Sequence, residues 1–209
     1  MPFSQFFRRG MGTEYVSQFL YSMVRMTRPT RLMEIGLGYT TPWLLRALDD
    51  NVDHVHIDRN CNPEYFRTPY DPILLCIDDL SISDERGRQN VEALKDHRFL
   101  RFFNAEFQGR ASEIHQEYGD LDFVWFDCGG RAEYEQFCEE YLPICSGYVF
   151  FHYTYSSGVE NDLSQVITSR LARAEREGES WFRTDIVEPH KHSQGSVTMI
   201  RRKSPMSGG

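Results

Sequence analysis

No apolar run in this chain is long enough to cross a bilayer, and the opening MPFSQFFRRG carries no extended hydrophobic segment. A cytoplasmic protein with no membrane partner is therefore expected. Positive charge is in short supply: 23 Lys and Arg stand against 31 Asp and Glu, a net charge of −8. That balance disfavours a phosphate-backbone partner, which needs a basic face, and points away from nucleic acid and toward a small molecule. The five cysteines are an odd number and include no C-x-x-C pair, so neither a disulfide framework nor a zinc site is expected. Repeats and low-complexity tracts are also missing, apart from the closing SPMSGG.

What is present alternates. TEYVSQFLYSMVRM (13–26) spaces its apolar residues as an amphipathic helix, with Thr13 as its cap. RLMEI is a short strand, and PWLLRALDD a helix with Pro42 at its first position and Thr41 as cap. VDHVHID reads as a second strand ending at Asp58. Residues 59–83 hold three prolines and a short ILLCI run, and are expected to be an inserted excursion. Helix resumes at DERGRQNVEALKDH, followed by strand RFLRFFNAE, helix SEIHQEYG, strand DFVWFD, helix RAEYEQFCEEYL and strand GYVFFHYTY. A long surface helix, NDLSQVITSRLARAEREG, precedes two strands joined by a polar loop. Strands alternating with helices imply right-handed crossovers and a mostly parallel sheet. With no helix between the last two strands, the final one should enter antiparallel.

The stretch RLMEIGLGYTTPWLLRAL (31–48) concentrates the functional signal. An acidic residue, Glu34, closes the strand; Gly36 and Gly38 then let the backbone turn sharply and lie flat against a ligand. A helix beginning at Thr41 offers free N–H groups to an anion. In an open parallel sheet ligands sit beyond the carboxyl ends of the strands, where a second carboxylate, Asp58, could accept both hydroxyls of a ribose. Dinucleotides and S-adenosylmethionine both suit such a loop. The dinucleotide fingerprint wants a third glycine where this chain has Thr41, which favours S-adenosylmethionine.

Taken in order, LMEIGLGYTT, VHIDRN, FFNAE, DFVWFD and GYVFFHYTYS resemble the successive motifs of class I S-adenosylmethionine-dependent methyltransferases over roughly residues 13–202. The resemblance implies a Rossmann-like three-layer α/β sandwich with a seven-stranded, mostly parallel sheet whose last strand is antiparallel. Residues 1–203 would form one domain, with 13–26 as a lid helix and 204–209 as a disordered tail. Glu34, Gly36, Gly38, Thr40 and Thr41 would make the cofactor loop, with Asp58 on the ribose. Asn104, Ala105 and Glu106 would lie along the adenine, and Asp127 near the methionine part.

Many small methyltransferases of this size resemble catechol O-methyltransferases, which hold Mg²⁺ through D-A-D after the fourth strand and D-N after the fifth. Here the matching positions read Asp127-Cys128-Gly129 and His152-Tyr153, a set without the hard oxygens that Mg²⁺ requires, so no metal is expected. His152 at the end of the fifth strand could serve as a neutral general base or as a structural histidine. Asp127 could orient it or serve only the cofactor. Acceptor-pocket walls are expected from Tyr15, Tyr153 and Tyr155, with Phe19 and with Tyr65, Phe66 and Tyr70 of the excursion; aromatic faces suit a flat or cationic acceptor. The leading expectation is metal-independent methyl transfer to an oxygen or nitrogen of a small molecule. Aminocarboxypropyl transfer or cyclisation of the same cofactor, hydride chemistry with NAD, a non-catalytic binding module, and a homodimeric state all stay open.

Overall fold

The computed structural model describes residues 3–7, 9–53, 70–81 and 85–203. It contains two compact units, Met1–Glu106 and Phe107–Gly209.

In the first unit, helix α1 (Val16–Thr27) leads to strand β1 (Arg31–Ile35), helix α2 (Thr40–Asp53), strand β2 (Ile73–Ile77), helix α3 (Glu85–Leu94) and strand β3 (Leu100–Phe103). The strand order is β3-β2-β1, all parallel, with Glu34 opposite Cys76 and Leu74 opposite Leu100. Helix α1 packs along α2, burying Leu20 and Val24 with Leu44 and Leu48. It starts three residues later than the periodicity predicts, and Thr13 contributes only its carbonyl, to Ser17 N.

Two sequence expectations need correction. ILLCI is not part of an excursion: it is β2, the strand between β1 and β3, with Leu74, Leu75 and Cys76 fully buried. A strand buried on both faces is a short unbroken apolar run, and Pro72, which suggested a break, stands immediately outside it. Of the expected strand VDHVHID, Val52 and Asp53 instead end α2, and residues 54–58 lie outside the described residues.

The second unit contains α4 (Ala111–Tyr118), β4 (Leu121–Phe126), α5 (Arg131–Glu140), β5 (Cys145–His152), a two-strand hairpin β6 (Tyr155–Ser156) and β7 (Val159–Glu160), α6 (Asp162–Arg176), β8 (Trp181–Val187) and β9 (Ser196–Arg202). Its strand order is β4-β5-β9-β8. Strands β4 and β5 are parallel, while β9 runs antiparallel to both β5 and β8. Within each unit the strands are mostly parallel as expected, and β9, the last, is the antiparallel one. The core of this unit is aromatic: Phe126 packs on Phe137 at 4.4 Å and edge-on to Tyr134 at 4.9 Å.

The β4–β5 ladder carries one irregularity. Leu121 pairs with Cys145 but Phe123 pairs with Tyr148, so β5 holds one more residue than β4 over this interval. Gly147 stands in the bulge, where a Cβ would lie 1.9 Å from the Asp122 carbonyl oxygen. Glycine is required there by close approach of backbone to backbone.

Candidate functional site

In the first unit the turn after β1 is built from short-range hydrogen bonds. Gly36 has φ +99°, a conformation glycine adopts without strain, and its N–H extends the ladder to the Ile77 carbonyl at 3.0 Å. Leu37 N donates to Asp78 Oδ2 at 2.6 Å, and Gly38 N to Thr41 Oγ1 at 3.1 Å. The Thr40 hydroxyl donates to Glu34 Oε1 at 2.5 Å. Glu34 is 0% exposed, so its carboxylate braces the turn from beneath and does not face solvent. Across from it the buried Cys76 thiol is pushed well up in pKa, chiefly by burial and then by Glu34 and Asp78, and it stays neutral.

Asp78, directly after β2, is the residue that sequence reasoning missed. Its Oδ2 receives Leu37 N and its Oδ1 receives Leu80 N at 2.6 Å. Burial raises its pKa, and these two amide bonds offset part of that rise. Asp58, expected to end the second strand, lies outside the described residues, and the second strand of the structure ends at Ile77, immediately before Asp78. The signal was in the sequence: ILLCID is itself an apolar run closed by an acid. Ala105 N donates to the Asp78 carbonyl at 3.2 Å, with Asn104 and Glu106 exposed on either side. Thus Glu34, Gly36, Gly38, Thr40, Thr41 and Ala105 gather around the carboxyl ends of β1, β2 and β3. Among the described residues nothing lies within 4 Å of where a Cβ on Gly38 would stand, which leaves space over the turn.

In the second unit, Asp127 follows β4 and His152 ends β5. His152 Nδ1 lies 2.8 Å from Asp127 Oδ1, and Nε2 lies 3.1 Å from the Gln194 carbonyl. Both partners are acceptors, an arrangement that favours the doubly protonated ring. Burial alone would lower its pKa, as would Lys191, but the charge and hydrogen bond of Asp127, with the Gln194 carbonyl, outweigh them and the net shift is upward. His152 is 2% exposed and the Asp127 side chain 27%. His152, expected as either a general base or a hydrogen-bonded structural histidine, is buried with both ring nitrogens within hydrogen-bond distance of a partner. Gln194, which completes this arrangement, carried no sequence signal; it has φ +52°, and Tyr153, beside His152, has φ +56°.

The aromatic candidates are placed separately. The Tyr153 hydroxyl is 3.1 Å from Ser156 Oγ. Tyr155 donates to Glu160 at 3.0 Å, and burial followed by Glu160 pushes its pKa up to about 12. Tyr15 is exposed at the start of α1. Tyr70 bonds the Pro29 carbonyl and Asn51, tying down the approach to β1, while Tyr65 and Phe66 lie outside the described residues. Among the described residues no group of three or more His, Cys, Asp or Glu side chains converges as metal ligands would.

No family model and no curated protein sequence matches the chain. Solved structures do. An O-methyltransferase from Bacillus cereus in complex with SAH is similar over 91% of this chain and 81% of its own, with TM-score 0.64 at 16% identity. The O-methyltransferase TomG from Streptomyces achromogenes, in complex with SAM, gives TM-score 0.56 over 91% and 80% of the two chains at 16% identity. A putative caffeoyl-CoA O-methyltransferase from Staphylococcus aureus gives 0.53 over 91% and 84% at 12% identity. This is a class I methyltransferase fold. At such identities the likeness is one of architecture, and function has to be argued from the site. In a methyltransferase fold, as in other open parallel sheets, the ligand edge is the carboxyl end of the strands. Within each unit the candidate residues stand at that end: Glu34 and Asp78 on β1 and β2, Asp127 and His152 on β4 and β5.

Proposed function

We propose that this chain is an S-adenosylmethionine-dependent methyltransferase acting on an oxygen or nitrogen of a small molecule, without a metal ion. The observation that carries the reading is the turn after β1, rigidly braced by Glu34 and Thr40 and open above Gly38, with Asp78 beside it. When bound, the cofactor supplies a methyl group on a cationic sulfur. The chain's own residues hold and orient. Asp78 is assigned the role expected of Asp58, accepting ribose hydroxyls, and Asn104, Ala105 and Glu106 border the adenine. Glu34 is a positioning residue that acts through Thr40 and the turn. Asp127, the more exposed member of its pair, is assigned the acceptor's proton or hydrogen bond; His152 beneath it fixes the carboxylate. Tyr153, Tyr155 and Tyr15 are assigned to acceptor contacts.

The net charge of −8 supports a small-molecule rather than nucleic-acid acceptor. Among the described residues no helix is long and apolar enough to cross a membrane. Placement in the cytoplasm, one domain over residues 1–203 with α1 as its lid, and a homodimer belong to the same reading; Phe182 and Ile186, exposed on β8, support the last.

Isothermal titration of the full chain with S-adenosylhomocysteine tests the cofactor assignment. Saturable binding is expected, weakened at least tenfold, about 1.4 kcal/mol, by Asp78→Ala. Binding of NAD in its place would sink the proposal. Mass spectrometry of the product then separates methyl from aminocarboxypropyl transfer.

A further inference from the structure

Helices α5 and α6 of the second unit pack against each other and leave a cavity of about 190 Å³ between them. Arg131, Glu135, Cys138, Glu139, Arg170 and Arg173 line it. The charges at its rim are matched: Arg131 bonds Glu135 at 2.8 Å, and Arg173 bonds Glu139 at 2.8 Å and Glu177 at 3.0 Å. Arg170 is different. Its Nε and Nη1 are buried, and neither has a hydrogen-bond acceptor among the described residues. Guanidinium stays charged at any pH a protein tolerates, so buried donors of this kind call for an acceptor. Cys138, 1% exposed beside it, does not supply one: burial pushes its thiol up to about 12, and no thiolate forms near neutrality. With three arginines against two glutamates on its lining, the cavity keeps a small net positive charge in a chain of net charge −8.

We propose that this cavity binds a small oxyanion of the phosphate class, held by Arg170 at its floor with Arg131 and Arg173 at its rim. Arginine suits such a ligand because its N–H groups give charge-assisted hydrogen bonds to phosphate oxygens. The cavity has room for an ion of that size together with ordered water. The site uses none of the residues assigned to cofactor or acceptor, so it stands or falls independently of the methyltransferase reading.

Inorganic phosphate titrated into the full chain at constant ionic strength is expected to raise Tm saturably, an effect chloride does not give. Arg170→Leu is expected to abolish the shift. Ser169→Asp places a carboxylate on the cavity lining; it is expected to raise Tm in the absence of phosphate and to cancel the phosphate effect. No saturable shift in the wild-type chain, or an undiminished shift in either variant, overturns the proposal. If Arg170→Leu does not fold, Ser169→Asp decides alone.

Discussion

Glu34 in the first unit takes its hydrogen bond from Thr40, six residues along the chain; Asp127 in the second takes its own from His152, 25 residues away, and that ring is held in turn by Gln194, a further 42 residues on. Both are carboxylates at strand ends, each bound to a donor, yet one is assembled by a single turn of chain and the other by three separated segments. The difference bears on protonation as well as on distance. A hydroxyl holds Glu34 without adding charge, so the carboxylate depends on burial geometry and on its neighbours. A titratable imidazole holds Asp127, so that arrangement depends on pH. Local construction gives a turn that is rigid; distributed construction gives one that is conditional.

The comparison can be broken most forcefully at the bulge that delivers His152. Gly147→Ala would drive a Cβ into the Asp122 carbonyl and is expected to cost about 3 kcal/mol in urea unfolding. A cost under about 1 kcal/mol would mean that β5 relaxes freely and does not fix its terminal residue. Next in size, Thr40→Val keeps the shape but removes the donor to a fully buried carboxylate; a loss of about 2 kcal/mol is expected in the same measurement. An unchanged midpoint would show that Glu34 does not depend on the turn.

A smaller effect should separate the two regions by pH. The folded-state pKa of His152 is raised above the unfolded value of about 6.5. Its contribution to stability is therefore fully present below about pH 6.5 and is lost as pH rises through the higher folded value. Unfolding free energy measured across that window is expected to fall in the wild-type chain and to fall less in His152→Gln. Equal slopes would remove the imidazolium from the account. Activity of His152→Gln, if Asp127 depends on it for orientation, should show an altered pH profile and not merely a lower yield of folded protein. The smallest effect is expected at Asp58→Ala: S-adenosylhomocysteine affinity should change by less than about threefold, a few tenths of a kcal/mol. A tenfold loss there, with Asp78→Ala unaffected, would return the ribose role to Asp58.

These contrasts explain what could be read from residue order alone. The first turn was legible because glycine, a capping hydroxyl and an acidic residue within seven positions leave few other conformations. The alternation of helices and strands gave the sheet, and the missing helix before the last strand gave its reversed direction. Strand β2 was not legible: proline signals ahead of ILLCI weigh the same whether a run crosses a core or skirts it, and burial on both faces removes the alternation that marks a strand. Asp78 went unseen for that reason. The full set of His152 partners was beyond sequence as well, because beside Asp127 it includes the Gln194 carbonyl, a backbone group that every residue type possesses.

The extra residue in β5 reaches further than its local geometry. Successive side chains on a strand point to opposite faces, so an odd insertion exchanges inside for outside in everything that follows. Removing one position between 145 and 147 would leave Val149 to His152 with the same chemistry and the opposite address. The imidazole ring would then meet a different layer of the molecule. Where a residue sits along the chain and which side of the sheet it serves are thus set by two separate features, and here the second is written in a glycine five positions upstream.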